Sequence, residues 1–210
     1  MMKIDTFVVG VVQTNCYIMR NEETKECFIV DPGAPSKDLL RFLHKNELSV
    51  QGVLLTHGHF DHIVGLDSIV DEFSVPVYIY DAENALLVEP TLNLSANRTG
   101  AYTFVGAERV TDGQVLSIAG FQIRVIHTPG HTAGCCCYYI ANQGVLFSGD
   151  TLFRFSIGRT DLPTSNHDQI VPSIQARLFV LPDDTKVYPG HARVTTIGEE
   201  KAHNPYAGLK

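Results

Sequence analysis

The segment Thr56-His57-Gly58-His59-Phe60-Asp61-His62 constrains this chain more than any other stretch. With nine histidines and 13 aspartates in 210 residues, the pattern His-x-His-x-Asp-His is expected by chance in only ~10⁻³ of chains of this composition. It follows a short apolar run, Gly52–Leu55, and precedes Ile63, Leu66, Ile69 and Val70 at helical spacing. The histidines therefore fall where a strand hands over to a helix. Imidazole and carboxylate groups at alternate and adjacent positions of a non-helical loop can point to two neighbouring places. That N/O donor set suits zinc, manganese or iron, and one short loop can feed two metal ions.

Three further candidates sit where inferred strands end: His131 after Thr128-Pro129-Gly130, Asp150 after Ser148-Gly149, and His191 after Tyr188-Pro189-Gly190. The glycine before each lets the backbone turn sharply and come close to a site. Strand-like runs open the chain at Ile4–Val9, Cys16–Met19 and Cys27–Val30. Ser36 is placed to cap a helix carrying Leu39, Leu40 and Leu43. Val75–Tyr80 reads as a strand, Asp81 as the cap of a short helix, and Glu89–Gly100 as a loop over the site. In the second half, Val115–Ile118, Phe121–Ile126, Gly134–Ile140 and Val145–Phe147 form four strands in succession. A helix presenting Ile170, Ile174 and Leu178 is expected to begin late or kink at Pro172, which lacks an amide donor. Thr185–Tyr188 closes as a strand and Thr196–Ala202 as a helical turn. Strands that are consecutive in places and separated by helices in others predict two packed sheets covered by helices, in a single domain over 1–210.

Composition removes several classes of function. Sixteen basic against 23 acidic residues give a net charge of −7 with no basic cluster, which argues against a nucleic-acid partner. The longest apolar stretches fall far short of the ~18 residues of a membrane span. The opening residues Met1–Asp5 and the broken run after them lack the long apolar centre of a signal peptide, so a cytoplasmic location is expected. The five cysteines, three of them adjacent at Cys135, Cys136 and Cys137, make no disulfide framework and read as buried thiols in a strand.

Taken in order, these motifs resemble the metallo-β-lactamase superfamily, and within it the small glyoxalase II-like, hydroxyacylglutathione hydrolase-like branch. The resemblance runs from Asn15-Cys16-Tyr17 and Asp31-Pro32-Gly33 through the histidine loop to Thr195-Thr196-Ile197-Gly198-Glu199 and Asn204-Pro205. Gly149-Asp150-Thr151-Leu152-Phe153 is similar to the glyoxalase II motif, and Ser156-Ile157-Gly158-Arg159-Thr160-Asp161 to the compact hydrolases. The resemblance implies an α/β four-layer αββα sandwich, with two mixed β-sheets flanked by helices. It implies His57, His59 and His131 on one metal, Asp61, His62 and His191 on the other, and Asp150 bridging. It also implies that the C-terminal helical domain with which glyoxalase II holds glutathione is missing.

Two divalent ions, two carboxylates and a bridging hydroxide leave about +1 in the site, which favours an anionic substrate or oxyanion. The expected activity is hydrolysis of a small-molecule acyl thioester by attack of a metal-bridging hydroxide. Asp61 and Asp150 are the catalytic carboxylates, and Asp61 orients the hydroxide. The thiolate leaves without strong acid help because thiol pKa values are ~8.5. Zinc is the first expectation for the metal, with iron or manganese as alternatives. Two other readings stand beside it: a persulfide dioxygenase with one iron on His57, His131 and Asp150, and a non-catalytic metal-binding protein.

Other residues carry paired readings. Arg159 either binds an anionic substrate tail or pairs with Asp161, and Tyr188 either lines the pocket or fills a strand. Asp31 either accepts a hydrogen bond from a metal-binding histidine or shapes the Asp-Pro-Gly turn. Asn15 reads as a turn residue, His127 as a satisfied histidine at a strand end, and His44, His167 and His203 as surface or capping residues.

Overall fold

A computed structural model describes residues 1–209. The first half runs β1 (Met2–Val9), β2 (Thr14–Asn21), β3 (Glu26–Val30), α1 (Lys37–Lys45), β4 (Ser49–Leu55), α2 (Phe60–Ile63), α3 (Leu66–Phe73), β5 (Val77–Tyr80), α4 (Asn84–Val88) and β6 (Glu108–Val110). These strands form one six-stranded sheet in chain order, antiparallel from β1 to β3 and parallel from β3 to β6. The change of sense follows from the connections. Short turns join the antiparallel strands, whereas the parallel ones need crossovers, and the chain supplies helices there. At the head of α1 the Ser36 Oγ accepts the Leu39 amide at 3.2 Å, and Leu39 and Leu43 face inward, as the periodicity predicts.

The second half adds β7 (Val115–Ile118), β8 (Phe121–His127), β9 (Cys136–Ile140), β10 (Val145–Gly149), a small hairpin of β11 (Leu152–Phe153) and β12 (Ser156–Ile157), α5 (His167–Ser173), β13 (Lys186–Pro189), β14 (Thr195–Thr196) and α6 (Ile197–His203). The second sheet has the order β14-β13-β10-β9-β8-β7, with β10 and β13 parallel across the α5 crossover. Both sheets are mixed, as the resemblance implies.

Alternation along the strands builds the layers. In β2, Cys16 and Ile18 face α1 and α3, while Tyr17 and Met19 face the other sheet. In β9, Cys136, Tyr138 and Ile140 enter the inter-sheet core, while Cys137 and Tyr139 face Ile170, Ile174 and Leu178 on the outer helical layer. Three apolar interlayers result, and they define the αββα sandwich. All five cysteines are buried free thiols, and burial pushes Cys27 up to about 12 and Cys137 up to about 11. They are packing groups with little thiolate character.

One expectation needs correction. The helix begins at His167, five residues before Pro172, with the Asn166 side chain accepting the Asp168 amide as its cap. Pro172 does not delay it, but the regular α-turns stop at Ser173, one residue further on, and the chain continues through a widened π turn over Ile174–Leu178, closed by the Phe179 amide on the Ile174 carbonyl at 3.0 Å. Burial of Ile170, Ile174 and Leu178 against the second sheet outweighs the one missing backbone bond. Among the described residues, no helix is long and apolar enough to cross a membrane.

Candidate metal centre

The candidate ligands all follow strand ends at one end of the sandwich. His57 and His59 lie on the extended segment after β4, whereas Asp61 and His62 lie in the first turn of α2. The expected non-helical loop is therefore half helical: the helix sends Asp61 and His62 towards the second donor group, while His57 and His59 serve the first. His131 follows β8, Asp150 follows β10 and His191 follows β13.

The structure brings all seven side chains together. Donor atoms of His57, His59 and His131 lie within 4.8 Å of one another, as do those of Asp61, His62 and His191. Asp150 lies between the two groups, with Oδ1 3.4 Å from His62 Nε2 and Oδ2 3.6 Å from both His131 Nε2 and His191 Nε2. His59 Nδ1 approaches His131 Nε2 to 3.0 Å, and His191 Nε2 lies 3.3 Å from Asp61 Oδ2.

This donor set fits divalent metal ions. The buried His57 Nε2, His62 Nε2 and Asp150 Oδ1 have no hydrogen-bond partner, which is costly unless a cation takes them up. The outer nitrogens are already engaged. His62 Nδ1 is 2.9 Å from Asp31 Oδ2, and His131 Nδ1 donates to the Arg159 carbonyl at 2.8 Å, so Nε2 of each is left to turn inward. Asp31 also accepts the Thr56 amide at 2.8 Å and the Thr56 hydroxyl at 2.7 Å. Both readings of Asp31 hold at once, since it adopts φ +51° in its turn while holding His62.

Electrostatics favour neutral imidazoles at His57 and His59. Burial, reinforced by the facing His131, lowers His59 to about 3, and burial with His62 nearby holds His57 well below its ordinary value. For Asp61 and Asp150, burial raises the carboxyl pKa, but His62 and His191, joined at Asp150 by His131, together outweigh it and hold both below the ordinary carboxylate range. Neutral imidazole and ionised carboxylate are the forms that bind metal.

The second sheet's ligands are held from the first sheet. The Asn15 amide donates to the Gly190 carbonyl at 2.7 Å, and its Nδ2 donates to Pro189 and Ala192 carbonyls at 3.0 and 2.9 Å. Tyr17 Oη adds a 2.6 Å bond to the Pro189 carbonyl. Asn15 is thus more than a turn residue; it grips the segment that carries His191. Asn15→Ala should cost about 1–3 kcal/mol in urea unfolding, because the Ala192 carbonyl loses its partner while Pro189 keeps Tyr17. Asn15→Asp should cost more, since a carboxylate would face two carbonyl oxygens.

A cavity of about 560 Å³ opens over the donors. Val12, Phe60, Leu94, Phe153, Ile157 and Leu162 give it apolar walls, and Arg98 and Arg159 add cationic groups. Arg159 lines this cavity and pairs bidentately with Asp161 at 2.7 Å, so the pairing expected of it is present. Tyr188 is corrected: it does not line the cavity. Its ring packs on Tyr17 and Phe147, at 5.5 and 5.6 Å, because the period of β13 turns it into the inter-sheet core. His127 stacks on Tyr80 at 4.3 Å, and its Nε2 donates to the Ala133 carbonyl. His44 meets Glu72 at 2.8 Å on the surface, His167 contacts Thr160, and His203 packs edge-on to Phe155.

The loop expected over the site at Glu89–Gly100 does line the cavity, through Leu94 and Arg98, which the sequence did not single out, and Glu83 was missed altogether. Segment 89–102 lines the cavity because Asn93 anchors it: Nδ2 donates to the Leu86 and Tyr102 carbonyls, and the Asn93 carbonyl accepts the Phe60 amide at 2.8 Å. A lone asparagine in an aperiodic stretch gives no signal of that.

A four-layer sandwich with a histidine–aspartate cluster able to bind metals at its strand ends places the chain among metallo-hydrolase folds. The family model of the metallo-beta-lactamase superfamily matches residues 9–191, and the chain belongs to that superfamily. It is 33% identical over 213 residues to the hydroxyacylglutathione hydrolase GloC of Haemophilus influenzae, covering 100% of both chains. The crystal structure of the BLEG-1 B3 metallo-β-lactamase superimposes with a TM-score of 0.92 at 41% identity, over 98% of this chain and 99% of that one. TTHA1623 in a di-iron-bound form gives 0.86 at 31% identity, over 96% and 99%.

Proposed function

We propose that this protein is a dinuclear metal-dependent hydrolase of small acyl thioesters, of the hydroxyacylglutathione type. The observation that carries this reading is the convergence of seven donors, in two groups with Asp150 between them, on one cavity with apolar walls and arginines. His57, His59 and His131 would hold one ion and Asp61, His62 and His191 the other. Zinc is the first candidate, and iron is supported by the di-iron relative. Divalent ions bound there supply a lowered pKa for water and positive charge for a developing oxyanion.

The chain's own groups do the rest. Asp61 receives the Thr14 hydroxyl on Oδ2 at 3.2 Å, which fixes the carboxylate that orients the attacking water. Phe60, Phe153 and Ile157 exclude bulk water and seat the acyl chain. The leaving thiolate needs no strong acid, because thiols ionise near ~8.5. Arg98 offers its guanidinium to an anionic group on the substrate. Arg98→Ala should raise KM about 3–10-fold for thioesters with a carboxylate in the thiol part and leave kcat and neutral thioesters nearly unchanged.

The 41% identity to a B3 metallo-β-lactamase favours a second reading, β-lactam hydrolysis at the same centre. Metal quantification on protein purified without chelator, run beside thioester, β-lactam and glutathione persulfide panels, decides among the readings. Two ions with thioester turnover are expected. Turnover of β-lactams alone, or one iron with oxygen uptake, would reverse the assignment.

A further inference from the structure

Glu83 ends the 3₁₀ turn Asp81–Glu83 ahead of α4 and is wholly buried. Its carboxylate oxygens serve two different segments. Oε1 accepts the Gly58 amide at 3.1 Å, and Oε2 accepts the Gly134 amide at 2.8 Å. Gly58 stands between His57 and His59, and Gly134 lies three residues after His131. One side chain therefore touches the backbone of both segments that carry the three-histidine group.

The fit is close on both sides. A Cβ on Gly58 would lie 2.6 Å from the Leu86 Cβ, and a Cβ on Gly134 would lie 2.5 Å from Glu83 Oε2 and 2.6 Å from its backbone nitrogen. Glycine is needed at both places because the turn and α4 press directly onto the two backbones. Beyond the carboxylate, the Thr56 carbonyl accepts the Cys136 amide at 2.9 Å, so the segments meet again on their other side. Burial pushes the Glu83 carboxyl up to about 7 against the hydrogen bonds from Thr132, Gly58 and Gly134. Among the described residues no cation pairs with it, and a buried acid without one is a costly group to keep in an interior.

We propose that Glu83 is a positioning residue that sets the spacing between the His57–His59 segment and the His131 segment, and through it the affinity of the three-histidine group for its metal. This rests on the reading that these histidines hold a metal ion. An apolar residue would fill the space, but it would leave two buried amides unpaired, and the approach of His59 Nδ1 to His131 Nε2 at 3.0 Å would no longer be enforced from behind.

The test is titration of metal-free protein with Co²⁺ against a competing chelator, in the wild type and in Glu83→Gln. The carboxamide has nearly the same shape but turns an NH2 donor onto one of the two amides. His131→Ala and His191→Ala backgrounds, each disabling one donor group, assign the two binding steps. In Glu83→Gln the three-histidine step is expected to weaken about 10–100-fold, while the other step stays within about 3-fold. Should Glu83→Gln fail to fold, Glu83→Asp retains the charge but reaches only one amide, and a smaller loss at the same step is expected. Unchanged Co²⁺ affinities in a folded variant, with only the urea midpoint lowered, would overturn the inference and make Glu83 purely structural. No Co²⁺ uptake by the wild type would overturn the metal reading, and this inference with it.

Discussion

Asp150→Ala is expected to abolish turnover, by at least about 10³-fold in kcat/KM, and to lower the bound metal below two ions per chain. Among the described residues, Asp150 is the one side chain whose oxygens face both donor groups, with His62 on one oxygen and His131 and His191 on the other. Removing it takes a negative charge from between the two donor groups and leaves His62, His131 and His191 without their shared neighbour. A loss of 10³ corresponds to about 4 kcal/mol of transition-state stabilisation, which is the scale expected of such a group. The fold should survive, because Asp150 Oδ1 makes no hydrogen bond and alanine leaves no buried donor stranded. Metal analysis, circular dichroism and the thioester assay on one preparation check this. A folded variant with two ions and near wild-type turnover would remove Asp150 from the centre.

Gly158→Ala should be among the most damaging single methyl groups in the described residues. Its Cβ would fall 1.8 Å from the Asp150 carbonyl oxygen and 3.1 Å from the His131 Cβ, so the backbone under two donors must move. We expect a loss of about 3–5 kcal/mol in unfolding free energy, a drop of about 10 °C in Tm, and reduced metal uptake. Gly106→Ala is the control. That glycine has φ +98° and open space around it, so the variant reports conformational strain alone, expected at about 1 kcal/mol. Equal losses in the two variants would show that crowding at Gly158 is unimportant.

The donors could be found in the sequence because they are concentrated in one loop and because glycines precede the three distant ones. The layers could be found because alternation in β2 and β9 and helical spacing in α1 each reflect a single local period. What escaped depends on contacts between segments far apart in the chain. Tyr188 is three residues before His191 and invites a place in the pocket, yet strand alternation sends it into the inter-sheet core. Pro172 suggests a late helix start, but tertiary burial of its neighbours lets the helix begin at His167. The three-residue β6 pairs only with β5, at the edge of its sheet, and has too few residues to show any period. Glu83 gives no sign of its partners, which lie 25 positions before it and 51 after.

The first sheet and its helices contribute His57, His59, Asp61 and His62, and the second contributes His131, Asp150 and His191. An ion held there acts as a clasp across the mouth of the sandwich. Neither half can open without forfeiting the whole binding free energy, so loading the centre should convert two separately yielding leaves into one all-or-none unit.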